Sequence, residues 1–187
     1  MSTTNYVSGL SDFRAAWDKA KARKRSSASN KVSAEGHVNL DGDEACPAAA
    51  IYTPADEEFF AAVEPGVRPL VMHLIDALDC ITYTSCEGHA PTADGWSPRR
   101  VGILPRDAAD YTRIYEALDR AVKATKTDVD PRVVELRIVE HTLASEGPDL
   151  PCIIVLFDCS TDWAAYVEKV DSVMNAFLDA LKATPTG

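Results

Sequence analysis

The hydrophobic positions change period along the chain, and the changes mark its elements. Leu10, Phe13 and Trp17 lie three and four apart with Lys and Arg following, which predicts a short amphipathic helix over 10–24. Residues 26–50 carry no period: serines and Asn30 give way to Gly36, an acidic Asp41-Gly42-Asp43-Glu44 and Cys46-Pro47, the composition of an irregular arm. Thr53-Pro54 ahead of Asp56, Glu57 and Glu58 reads as a helix start, with a hydroxyl cap, a proline at the first position and acids at the positive end of the dipole. Pro65-Gly66 ends that helix. Val67, Leu70, Val71, Leu74, Ile75 and Leu78 then form one stripe, which predicts a helix over 67–79.

Strand patterns follow. A β-branched and aromatic run predicts a first strand over 81–86, and Arg100 to Leu104 a second, with the segment Ala90–Pro98 between them read as a loop. Pro105 closes the second strand, and Asp107 caps a helix carrying Tyr111, Ile114, Leu118 and Val122. After a turn at 125–131, a third strand over 132–141 sets Val134, Leu136 and Ile138 against Glu135 and Arg137, so one side is partly wet. Residues 151–158 are apolar at both parities and predict a central strand. Ser160 or Thr161 then caps a last helix with a stripe of Trp163, Val167, Val170, Met174, Phe177 and Leu181.

The order helix-strand-strand-helix-strand-strand-helix predicts an α/β fold of the α+β type. Its form is a two-layer sandwich with a mostly antiparallel sheet of four or five strands. Residues 1–50 read as a basic helix and arm, and 51–187 as one globular domain, a size that holds a proper core. No apolar run approaches the ~20 residues of a membrane span, and the N-terminus lacks a secretory pattern. The expectation is a small cytoplasmic protein, bacterial by the resemblance given below.

Charge and cysteines narrow the chemistry. Residues 1–31 hold seven Lys or Arg against two Asp, a balance of +5, and the remainder balances at −15 to give the net −10. An acidic body repels phosphates, so nucleic acid is a poor partner for it. The basic cluster from Lys19 to Lys31 reads as a solvated face or tail, with contact to nucleic acid or an acidic protein partner as the alternative. A homodimer is open. The five cysteines Cys46, Cys80, Cys86, Cys152 and Cys159 have no regular spacing, which argues for packed thiols over a disulfide framework. Cys152 and Cys159 lie roughly 23 Å apart if extended, and Cys80 and Cys86 roughly 20 Å, so neither pair shares a metal.

The segment Thr84-Ser85-Cys86-Glu87-Gly88-His89 carries the candidate chemistry. Cys86-x-x-His89 is a feasible zinc pair that needs further ligands, with His141, Cys159 and His73 as candidates. Alternatively Cys86 is a nucleophile with His89 as acid or base and Glu87 as general base or orienter. Antiparallel pairing of the first two strands brings Arg99 and Arg100 nearby as anion contacts. A structural turn, with Cys86 packed inside and His89 capping, is a third reading. Trp96 could cover a pocket, Asp158 could enter a site at the sheet edge, and His37 stands alone.

The run Ile81-Thr82-Tyr83-Thr84-Ser85-Cys86-Glu87-Gly88-His89, followed by Val101-Gly102-Ile103-Leu104-Pro105-Arg106, resembles a group of uncharacterised bacterial proteins with a Ser-Cys-x-Gly-His motif. It is more distantly similar to the wybutosine-synthesis N4-methyltransferases that modify transfer RNA, whose early helix leads into a Thr-x-Ser-Cys-Ser-Gly-Arg turn. The likeness covers about residues 67–106. It implies that Ser85, Cys86 and Gly88 line a turn beside a substrate or S-adenosylmethionine pocket. The chain departs from that pattern at Glu87 and His89, where serine and arginine are expected. The expected function is an enzyme acting on an anionic small molecule or a modified nucleotide or peptide. Alternatives are a non-catalytic adaptor and an RNA-modification protein.

Overall fold

A computed structural model describes residues 14–15, 17–18, 31–32, 38–39, 53–54, 59–92, 95–143, 149–159 and 162–183. The elements are β1 (Lys31–Val32), β2 (Val38–Asn39), α1 (Phe59–Ala62), α2 (Arg68–Leu78), β3 (Thr82–Cys86), β4 (His89–Thr92), β5 (Gly95–Ser97), β6 (Arg99–Ile103), α3 (Ala108–Ala124), β7 (Glu135–Leu143), β8 (Leu150–Asp158) and α4 (Trp163–Ala183). The chain divides into two compact units, Met1–Val63 with Thr142–Leu150, and Glu64–His141 with Pro151–Gly187.

In the first unit, Trp17 is buried edge-on against Phe59, their ring centroids 5.8 Å apart. Four residues of the helix expected over 10–24 are described, and all four are helical. β1 and β2 form a short antiparallel pair inside the stretch expected to be irregular. Most of that arm, including Cys46, His37 and nearly all of the basic cluster, lies outside the described residues.

The second unit is the two-layer α+β sandwich. Its four-stranded antiparallel sheet has the order β3-β6-β8-β7, and three long helices supply the other layer. β8 is interior, as its double-sided apolar run requires. Val101, Ile103, Ile153, Val155 and Phe157 turn to the helices and are fully buried, with Phe157 edge-on to Phe177 of α4. That side of the sheet is the core. On the other side, Ile154 and Leu156 are half-buried, and Arg137 pairs with Asp158.

Four details differ from expectation. The loop expected at 90–98 contains a hairpin, β4 with β5. β7 starts at Glu135 because Asp130 holds the preceding turn: its carbonyl accepts from Val133 and Val134 N–H, and its carboxylate accepts from Arg132 N–H. In α4 the buried face is centred on Tyr166, Val170, Val173, Phe177 and Leu178, which leaves Val167 about half exposed. Asp162 supplies the capping acceptor for α4, to Ala164 N–H at 2.9 Å, while Ser160 and Thr161 lie outside the described residues. Asp107 caps α3 as expected, accepting from Asp110 N–H.

One irregularity shapes the edge near the candidate site. β3 bulges at Tyr83 where it meets β6, so Tyr83 and Thr84 both crowd Gly102. A Cβ on Gly102 would stand 2.6 Å from Thr84 Cγ2 and 2.7 Å from Tyr83 Cε1, so only glycine lets the strands close here. No helix among the described residues is long and apolar enough to cross a membrane.

Candidate metal centre

The end of β3 delivers Cys86, and the chain runs on in the same direction into β4, with His89 opposite Ser97 as Cys86 is opposite Arg100. Gly88 turns the backbone locally between them at φ +101°, a conformation that L side chains rarely adopt. Past this local turn His89 lies beside Cys86. A third residue arrives from the segment between α1 and α2, where Glu64 precedes Pro65-Gly66. Donor atoms of Glu64, Cys86 and His89 all lie within 4.8 Å of one another. His89 Nε2 stands 2.8 Å from Glu64 Oε1.

Two carboxylates fasten this turn to the α1–α2 segment reciprocally. Glu64 Oε2 accepts from Glu87 N–H at 2.6 Å, and Glu87 Oε2 accepts from Gly66 N–H at 2.7 Å. Each side chain thus satisfies a backbone donor on the other strand of the clasp, which fixes the position of Glu64 relative to Cys86. The Glu87 carboxylate accepts from Gly66 N–H, and among the described residues the carboxylate at His89 is that of Glu64.

Register separates the remaining residues by face. Cys86 lies opposite Arg100, and Arg100 opposite Leu156, so these three share the face of the sheet away from the helices. Ser85, Val101 and Val155 are aligned on the helix face, as are Arg99 and Phe157. Arg99 is buried there and held by three acceptors. Its Nε donates to Glu87 O at 2.9 Å, and Nη1 donates to Asp171 Oδ1 at 2.6 Å and to Met174 Sδ at 3.5 Å. Its backbone N–H donates to Tyr166 Oη at 2.7 Å, and that hydroxyl donates to Phe157 O at 3.0 Å, bridging the end of the β6–β8 ladder. Arg99 braces the turn from behind. The arginine that faces the same way as Cys86 is Arg100.

Burial dominates the Cys86 thiol and raises its pKa, against the lowering effects of the Gly88 N–H and the Arg100 guanidinium; Glu64 and Glu87 raise it further. The neutral thiol is therefore favoured, which is the opposite of what an activated nucleophile needs. A cation reverses this balance, because a coordinated thiol is held as thiolate. Cys86 is buried while His89 is about half exposed, so the cluster opens toward solvent at the histidine.

His141, Cys159 and His73 were the expected sources of a third ligand. Among the described residues, Glu64-Cys86-His89 is the one group of three potential ligands so assembled. Glu64 carries no spacing signal; its approach depends on the Gly88 turn and the carboxylate clasp. Asp158 is bound to Arg137 and to Cys159 N–H, and the Trp96 side chain lies outside the described residues. Comparison with family models, with curated proteins and with solved structures gave no match.

Proposed function

We propose that the chain is a small cytoplasmic zinc-dependent enzyme, with Glu64, Cys86 and His89 as the three protein ligands. The observation that carries this reading is the convergence of three donor atoms of the kinds zinc prefers, within 4.8 Å. Tetrahedral zinc with bonds of about 2.0–2.3 Å needs donors roughly 3.5 Å apart, so a small inward movement suffices. One thiolate and one carboxylate balance the charge of a divalent ion.

Three protein ligands and an exposed side leave a coordination position for water or substrate, the pattern of catalytic rather than structural zinc. The ion would supply Lewis acidity and an activated water at neutral pH. Cys86 anchors from the buried side, and Glu64 is held in place by the Glu87 N–H. His89 forms the rim. Hydrolysis of an activated acyl or phosphoryl bond is the reaction class that fits.

Elemental analysis of purified protein should find about one zinc per chain, sharply reduced in Glu64→Gln, Cys86→Ser and His89→Ala. The zinc-loaded chain should cleave 4-nitrophenyl acetate faster than the chelated chain. Less than about a tenth of a zinc per chain after zinc loading, or full occupancy in all three variants, would rule the site out. Equal cleavage rates with and without zinc would remove the hydrolytic assignment.

A further inference from the structure

Seven arginines lie between positions 99 and 137, and their pairing is uneven. Arg99, Arg106, Arg113, Arg120, Arg132 and Arg137 each have a carboxylate within ion-pair distance. Arg100 has no carboxylate partner among the described residues. Among the described residues its one side-chain hydrogen bond runs from Nη1 to Pro98 O at 3.4 Å, the weak end of the range, and the other donors of its fork meet no acceptor there.

The location gives this a use. Arg100 is the direct cross-strand neighbour of Cys86, on the same face, and its charge acts on both Cys86 and Tyr83. A half-buried guanidinium without a counter-charge is costly to keep inside a protein, and such a cost is offset when an anion arrives. A planar fork matches the two oxygens of a carboxylate or phosphate group.

We infer that Arg100 is the anion-binding residue of the Glu64-Cys86-His89 centre, so that the substrate is a small oxyanion, a carboxylate or phosphate ester. The inference rests on the zinc reading above. One oxygen set would meet the guanidinium while the reacting group occupies the open metal position. Arg99 cannot substitute, because its side chain is turned to the helices and bound to Asp171.

Cobalt replaces zinc here as a visible reporter. The cobalt-loaded chain is titrated with acetate and, separately, with inorganic phosphate at constant ionic strength, reading the visible d–d bands. Both should perturb the wild-type spectrum saturably, and the tighter of the two identifies the oxyanion class. Arg100→Gln should bind cobalt to the same stoichiometry but weaken the anion about 10- to 100-fold, the loss expected for charge-assisted hydrogen bonds. Arg100→Lys should fall between.

Equal anion affinity in wild type and Arg100→Gln, with cobalt bound in both, overturns the inference and leaves the metal reading standing. A wild-type chain that binds no cobalt removes both. If Arg100→Gln loses cobalt, Arg100→Lys decides: cobalt retained with weakened anion binding upholds the inference, and unchanged anion binding overturns it.

Discussion

Arg99 and Arg100 are neighbours in sequence and differ in almost every physical respect. Arg99 points into the helix layer, is buried, and spends its donors on Glu87 O, Asp171 and Met174. Arg100 points to the other face of the sheet and makes one weak side-chain hydrogen bond among the described residues. The same contrast runs through the whole end of the sheet. On the helix face, polar groups such as Tyr166 Oη and Arg99 N–H close against one another. Cys86 belongs to the opposite face, and around its thiol the donors of Glu64 and His89 converge with an open side. A satisfied buried network stabilises the fold, whereas converging donors that lack a common partner indicate a ligand.

This difference can be broken by substitution. Tyr166→Phe removes the hydroxyl that accepts from Arg99 N–H and donates to Phe157 O, leaving two buried backbone groups short of a partner. The expected loss is about 2–3 kcal/mol of unfolding free energy in a urea titration. Arg100→Gln, on the opposite face, should change the same quantity by less than ~1 kcal/mol. Equal losses would mean that Arg100 is structural too.

The turn sits between the two faces and should register in both measurements. Gly88→Ala forces an L side chain to φ +101°, a strained conformation even though the new methyl carbon would meet Tyr166 Oη at an ordinary 3.5 Å. It should cost about 1–3 kcal/mol and also weaken zinc, because His89 shifts relative to Cys86. A stability loss with unchanged zinc affinity would show that the turn does not set the ligand geometry.

A graded effect, confined to alkaline pH, comes from the buried thiols. Burial pushes Cys80 up to about 12 from the ordinary 9.0. The folded state therefore holds this proton longer than the unfolded chain does. The contribution is fully present below about pH 9 and is lost as pH rises toward 12. Metal-free protein should lose stability over that window at a slope approaching ~1.4 kcal/mol per pH unit from this thiol. Cys80→Ala should have a shallower slope, and an unchanged profile would place the alkaline sensitivity elsewhere.

Much of the fold follows from local patterns. The stripe at Leu70, Val71, Leu74 and Leu78, the Asp107 cap and the Ile153–Phe157 run each match the element they predict, because burial and capping act over a few residues. Cys86 and His89 were also legible as a pair across a glycine. Glu64 was not: it reaches them through a turn and a clasp whose partners are far apart in sequence. The division between Arg99 and Arg100 was available from strand parity alone, since adjacent strand residues face opposite ways. Which face carries the helices required the three-dimensional arrangement.

The central claim is that the three donors form one metal centre. It is tested most directly by titrating metal-free protein with cobalt and following the sulfur-to-metal charge-transfer band. The account predicts saturation at about one cobalt per chain, with the band lost in Cys86→Ser and binding weakened about 100-fold or more in Glu64→Gln, by the scale of losses for buried charged partners. A folded wild-type chain that develops no charge-transfer band would contradict it.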